Sequence, residues 1–148
     1  MQRKLILFFV LSITVGCSYA PAPRDQMEYY PLGSSLTQLS RVIEGKLYSG
    51  RLPADLNGDM LLKEATRDNP NLLLPFGDYK MKANRSGRHV ALLVCDKEET
   101  RAILEDAGCT GTLEKHLWQA QSPQPCEFSI DLITLCKPSS LVKPNGTH

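Results

Sequence analysis

Four cysteines between positions 95 and 136 constrain this 148-residue chain more than any other feature: Cys95, Cys109, Cys126 and Cys136. A fifth, Cys17, stands far from them near the start. The gaps between the four hold 13, 16 and 9 residues, and none is a CxxC pair. Structural zinc sites and thioredoxin-like redox centres are built on such close pairs, so neither is expected and no metal or other cofactor is assigned. In an oxidising compartment, cysteines spaced this way close disulfides. Five is then an odd count, and one sulfur needs another use.

The start of the chain says which compartment is meant. Met1-Gln2-Arg3-Lys4 is a short positive segment, and Leu5 to Val15 (LILFFVLSITV) is an uncharged, mostly apolar run of 11 residues. A spanning helix needs about 20 such residues. The run also lacks the amphipathic period of a core helix. A charged start followed by a run of this length reads as a secretory signal peptide over residues 1–16. Two exits compete. Ser18-Tyr19-Ala20 has the small-x-small form of an ordinary cleavage site, but Pro21 follows it, and a ring without an N–H is poorly suited to the position after a scissile bond. The other exit is Thr14-Val15-Gly16-Cys17, at the end of the apolar run.

Thr14-Val15-Gly16-Cys17 resembles the lipobox of bacterial lipoproteins, with Gly before the cysteine and Thr14 where Leu is typical. The resemblance implies that Cys17 receives a diacylglyceryl group, that a dedicated peptidase cuts before it, and that the new amine is acylated. Each buried methylene is worth about 0.8 kcal/mol and stable anchoring takes more than one chain, so such a cysteine holds its domain firmly. Ser18 follows, where Asp in the enterobacterial form of the family marks the inner membrane; the expectation is therefore the outer membrane, facing the periplasm. Setting Cys17 aside leaves an even four and two disulfides. Of the three connectivities, Cys95–Cys109 with Cys126–Cys136 is favoured, because each pair brackets one local unit. The stretch Val90–Trp118 also resembles segments of proteobacterial lipoproteins, which implies no activity.

The fold expected is a small single α+β domain over residues 34–137, with a β-hairpin, one further strand and two or three helices. Before it, residues 17–33 are Pro-rich and aperiodic and read as the lipidated cysteine and a flexible tether; residues 138–148 read as a loose tail. Tyr29-Tyr30 is an aromatic pair in that tether, with docking on the domain its expected fate. Leu36, Leu39, Val42 and Ile43 fall at helical spacing behind Ser34 or Ser35 as N-cap, and Lys46-Leu47-Tyr48 suggests a short strand. Asn57 or Asp59 is expected to cap a helix burying Met60, Leu61, Leu62 and Ala65, ended by Asn69-Pro70. Tyr79 to Ala83 and His89 to Cys95 alternate or run apolar about the turn Arg85-Ser86-Gly87-Arg88, which predicts a hairpin. Asp96 to Asp106 reads as an acidic helix with Ala102, Ile103 and Leu104 inward and Gly108 as its C′ residue. Phe128, Ile130 and Leu132 alternate, which predicts a last strand within Glu127–Leu135.

Function is less legible. The 17 basic and 16 acidic residues become 15 and 16 once Arg3 and Lys4 leave with the signal peptide, a balance of −1 that gives nucleic acid no electrostatic footprint. His89, His116 and His148 have no metal-ligand spacing, and no GxSxG, HExxH, P-loop or GxGxxG is present. No catalytic residue is assigned. Lys80, Lys82, Arg85 and Arg88 load the hairpin with positive charge, either as plain surface patterning paired with the acidic segment or as a basic contact patch for headgroups or an acidic partner. The reading is a membrane-anchored, non-catalytic binding or assembly module of the envelope, partnered by the membrane and by an envelope protein. An envelope hydrolase or cell-wall-associated enzyme accessory is the alternative; a pocket with His116 or His89 beside a carboxylate is what favours it.

Overall fold

A computed structural model describes residues 25–137; the expected signal peptide, Cys17, residues 18–24 of the tether and the tail from 138 lie outside them. The chain runs α1 (Asp25–Tyr48), α2 (Gly58–Ala65), a 3-10 segment (Pro70–Phe76), β1 (Lys80–Ser86), β2 (His89–Cys95), β3 (Ala102–Ala107), a 3-10 turn (Leu117–Gln119) and α3 (Leu132–Leu135). The strands form one antiparallel sheet in the order β1-β2-β3. This is the expected α+β class, with a hairpin and one further strand.

The hairpin forms in the expected place with a tighter turn, since Arg85 and Ser86, expected in the turn, pair as the end of β1. Ser86 pairs with His89, so Gly87 and Arg88 alone make the connection. Gly87 sits at φ +60, the left-handed conformation that a two-residue hairpin turn demands at its first position. β2 is buried along both faces, which a run as apolar as HVALLVC requires. Val90, Leu92 and Val94 face the main core beneath α1 and α2, while Ala91, Leu93 and Cys95 face a second layer made by the C-terminal segment.

α1 starts earlier than expected. Asp25 to Gly33 are helical and not tether, and Tyr29 and Leu32 are buried with Leu36, Leu39, Ile43 and Leu47 along one face. Pro31 lies inside the helix, and the hydroxyls of Ser34 and Ser35, far from capping it, donate back to the carbonyls of Tyr30 and Pro31. The start is pinned by the Tyr79 hydroxyl, which donates to Glu28 at 3.1 Å. Burial first, then that carboxylate, push the Tyr79 pKa up to about 12. Lys46-Leu47-Tyr48 ends the same helix and is not a strand. In α2, Asn57 is the N-cap and Leu61, Leu62 and Ala65 are buried as expected, but Met60 points to solvent and is 62% exposed.

Two larger corrections concern the sheet. Asp96 does not open a helix: its carboxylate accepts the backbone N–H groups of Thr100 and Arg101 and the Thr100 hydroxyl, folding 96–101 into a tight turn. The chain then returns as β3 beside β2. Ala102–Ala107 has good helix formers, but all six residues are buried, and tertiary burial on two faces overrides a preference of a few tenths of a kcal/mol each. The register shifts between Val94 and Cys95, so Ile103 is the extra residue of a bulge and joins Leu104 in the main core. Gly108 follows a strand, not a helix. A Cβ there would lie 2.6 Å from the Ser40 carbonyl oxygen, so glycine is what lets α1 cross this close.

The second correction is at the C-terminus. Glu127–Leu135 is not a strand; it is an extended segment ending in α3, with Asp131 as N-cap. Its alternation is nevertheless used, since Phe128, Ile130 and Leu132 all pack on the outer face of the sheet.

The disulfides are Cys95–Cys126 and Cys109–Cys136, with Cα separations of 5.7 and 5.8 Å, and not the local pairs expected. The reason is the returning strand. Cys95 pairs with Ala102 at one end of β3, while Cys109 lies beyond the other end, where Ala107 pairs with Ala91. A six-residue strand at about 3.3 Å per residue keeps the two apart, out of reach of any S–S bond. The two bonds cross in sequence, and together they staple the C-terminal layer over β2 and β3.

Candidate functional site

The concave surface best furnished for contact lies between α1 and the segment 111–116. It is a groove of about 630 Å³ bordered by Tyr30, Thr37, Gln38, Val42, Leu113 and His116. Gly33 forms its floor, where a Cβ would come within 2.9 Å of the Leu113 side chain. Arg41 closes one wall by donating to the Gly111 carbonyl. At the other end Tyr30 meets Trp118 edge-on with ring centroids 5.5 Å apart, and His116 stands 6.2 Å from the Tyr30 ring. Behind them Tyr29 packs on Trp118 and Tyr79, so Tyr29 docks on the domain while Tyr30 stays 56% exposed at the mouth. Reading Tyr30 as tether hid the groove, because one wall of it is the first half of α1.

The four basic hairpin residues separate into two pairs. Lys80 and Lys82 reach Glu99 at 3.7 and 3.3 Å, which joins the hairpin to the acidic turn. Lys82 also donates to the Cys126 carbonyl at 3.1 Å. At the turn end, Arg85 donates to the carbonyls of Pro53 and Gly87, and Arg88 lies 5.9 Å over the Tyr48 ring.

Three carboxylates are buried: Glu105 and Asp106, which read in the sequence as the solvated face of an acidic helix, and Glu44 on α1, which no sequence signal singles out. Glu105 points to the outer layer and accepts the backbone N–H groups of Ser129 and Ile130, both at 2.8 Å. Asp106 points the other way and accepts the Ser40 hydroxyl from α1 and the Glu114 N–H. Burial holds the Asp106 pKa above the ordinary carboxylate value, against the lowering effect of the Ser40 hydrogen bond. Glu44 on α1 meets His89 Nδ1 at 2.6 Å and accepts the Val90 N–H at 2.9 Å. The Asp106–Ser40 contact joins β3 to α1, Glu105–Ser129 joins β3 to the C-terminal layer, and Glu44–His89 joins α1 to β2.

Among the described residues one group of three metal-type ligands lies close together, His89 with Cys109 and Cys136. The two sulfurs are bonded to each other, so in this state they offer no thiolate. No described helix is long and apolar enough to cross a membrane. The fold and its sites define a small disulfide-bonded α+β domain whose buried carboxylates are hydrogen-bonded between elements. Comparison with protein families, with curated proteins and with solved structures finds no match to this chain.

Proposed function

We propose that the chain is a bacterial envelope lipoprotein, anchored through Cys17 to the outer membrane and working as a non-catalytic binding or assembly module. The observation that carries the reading is the pairing of sulfurs. Cys95, Cys109, Cys126 and Cys136 satisfy one another, which leaves Cys17 as the odd thiol at the lipobox position. Two disulfides also suit an exported domain of this size, whose core alone is modest.

The binding role draws support from how the buried carboxylates are used. Glu44, Glu105 and Asp106 each accept hydrogen bonds that join one element to another. The groove beside α1 is lined by uncharged and apolar side chains with Arg41 and His116 at its rim, a mixture suited to a peptide segment of an envelope protein.

The hydrolase alternative has one observation in its favour, the Glu44–His89 pair, which has the geometry of an orienting carboxylate and a base. The sulfurs standing near it form a disulfide, which is not a nucleophile. A photoreactive residue in place of Gln38, activated in intact cells, tests the binding role. One discrete cross-linked envelope protein, missing when the probe replaces exposed Met60, is expected. The same pattern of adducts from both positions contradicts the assignment.

A further inference from the structure

A ring nitrogen of His89 and the sulfurs of Cys109 and Cys136 all lie within 4.8 Å of one another. The sheet register explains the proximity. Ala91 pairs with Ala107, and carrying the antiparallel ladder two places further sets His89 opposite Cys109. Glu44 fixes the imidazole from α1: its carboxylate accepts the Val90 N–H and contacts His89 Nδ1. The Nδ1–Glu44 contact leaves Nε2 as the ring nitrogen available to a metal. A carboxylate holding the far nitrogen of a histidine is the arrangement found behind metal-bound imidazoles.

We infer that reduction of Cys109–Cys136 opens a latent zinc-type site, with Cys109 and Cys136 as thiolate ligands, His89 as the imidazole ligand and Glu44 as the positioning residue. The geometry closes with little movement. Thiolates on one tetrahedral Zn2+ sit about 3.8 Å apart given Zn–S bonds of about 2.3 Å, a separation two sulfurs take up once their bond is broken. Three protein ligands leave the fourth position to water. A borderline-soft divalent cation suits two thiolates and one imidazole, whereas Mg2+ and Ca2+ require oxygen ligands.

The two disulfides are placed differently, which lets one open while the other holds the fold. Cys95 is wholly buried and Cys126 is 7% exposed, both packed with Leu93 and Ala102. Cys109 is partly exposed at the edge of the outer layer, with Cys136 packed beside it. A dithiol reductant therefore reaches Cys109–Cys136 first. Its two thiols supply two electrons and two protons: their own S–S bond forms as the Cys109–Cys136 bond breaks, leaving two cysteine thiols. Zn2+ then displaces both thiol protons to solvent.

The test uses the full chain, reduced under nitrogen with a limited amount of a phosphine that is then removed, with Zn2+ itself as the probe. The reduced chain is expected to bind one Zn2+ against a chromophoric chelator, and the oxidised chain none. Zn2+ is expected to shield Cys109 and Cys136 from alkylation, mapped by mass spectrometry, while Cys95 and Cys126 stay unalkylated with or without it. His89→Ala is expected to weaken binding by about 10-fold or more, and Glu44→Gln by about 10- to 100-fold. Equal uptake by the oxidised chain, alkylation of Cys109 and Cys136 indifferent to Zn2+, or unchanged affinity in His89→Ala would overturn the site. So would a near-UV signal that is lost on reduction and not restored by Zn2+, since the site needs the folded sheet.

Discussion

Glu105 on β3 accepts the backbone N–H of Ser129, 24 positions later, at 2.8 Å. The same carboxylate oxygen accepts Ile130 N–H, so a side chain supplies the acceptor that a fourth strand would have supplied from its backbone. Glu105→Ala leaves these donors without their partner, and the expected loss of stability is on the order of 3 kcal/mol. Denaturant unfolding measures it, and hydrogen exchange should show the amides of Ser129 and Ile130 losing protection before those of β2. A loss under about 0.5 kcal/mol, the scale of an ordinary surface substitution, contradicts the role given to Glu105.

Asp106 makes the pH dependence specific. Its carboxyl has a pKa raised above the ordinary 3.8, chiefly by burial. The folded state therefore holds its proton more tightly than the unfolded chain does. That contribution is fully present below pH 3.8 and is lost as pH rises through the raised value. Asp96 and Asp131 have lowered pKa values and act with the opposite sign, so the comparison must be with a variant. Wild type is expected to lose stability relative to Asp106→Asn as pH climbs from 3.8, with the difference levelling off above the folded value. A difference independent of pH rules out the titration of Asp106 as its source.

Cys95–Cys126 and Cys109–Cys136 close loops spanning 31 and 27 positions. On the chain-entropy account each contributes about 3.5 kcal/mol. Replacing either pair with alanines should cost roughly that much in denaturant unfolding, the Cys95–Cys126 pair more because it also fills the core beside Leu93. Peptide mapping without reduction should recover the crossed pairing. Recovery of Cys95 joined to Cys109 would disprove β3.

Gly108→Ala places a methyl group 2.6 Å from the Ser40 carbonyl oxygen and 2.8 Å from the Glu44 side chain. Backbone on one side leaves little room to give, so a loss of about 1–3 kcal/mol is expected. Gly45→Ala, where nothing lies within 4 Å, is the control and should be neutral or slightly stabilising.

What the sequence disclosed and what it hid follow one physical rule. The hairpin and the Asn57 cap were legible because local chemistry settles them: Gly87 can take φ +60, and the Asn57 side chain accepts the Gly58 N–H. β3 was not, because Ala102 to Ala107 has helical composition and becomes a strand only by burial between two layers. The Phe128, Ile130, Leu132 alternation was read correctly as one buried face, yet its neighbour is a glutamate side chain and not a strand. The first turns of α1 were hidden by Pro31 and the missing period. The cysteine pairing depended on that unseen strand, and so did the proximity of His89 to Cys109 and Cys136.

Cys17 is the proposed lipid carrier that holds this domain at the envelope, and fatty-acid labelling of cells making wild type or Cys17→Ser tests that anchor. Wild type should be labelled and recovered with the outer membrane, and the variant should be unlabelled and released. A Cys17→Ser chain that is still labelled and membrane-bound, or a wild-type chain that never takes label, contradicts the account.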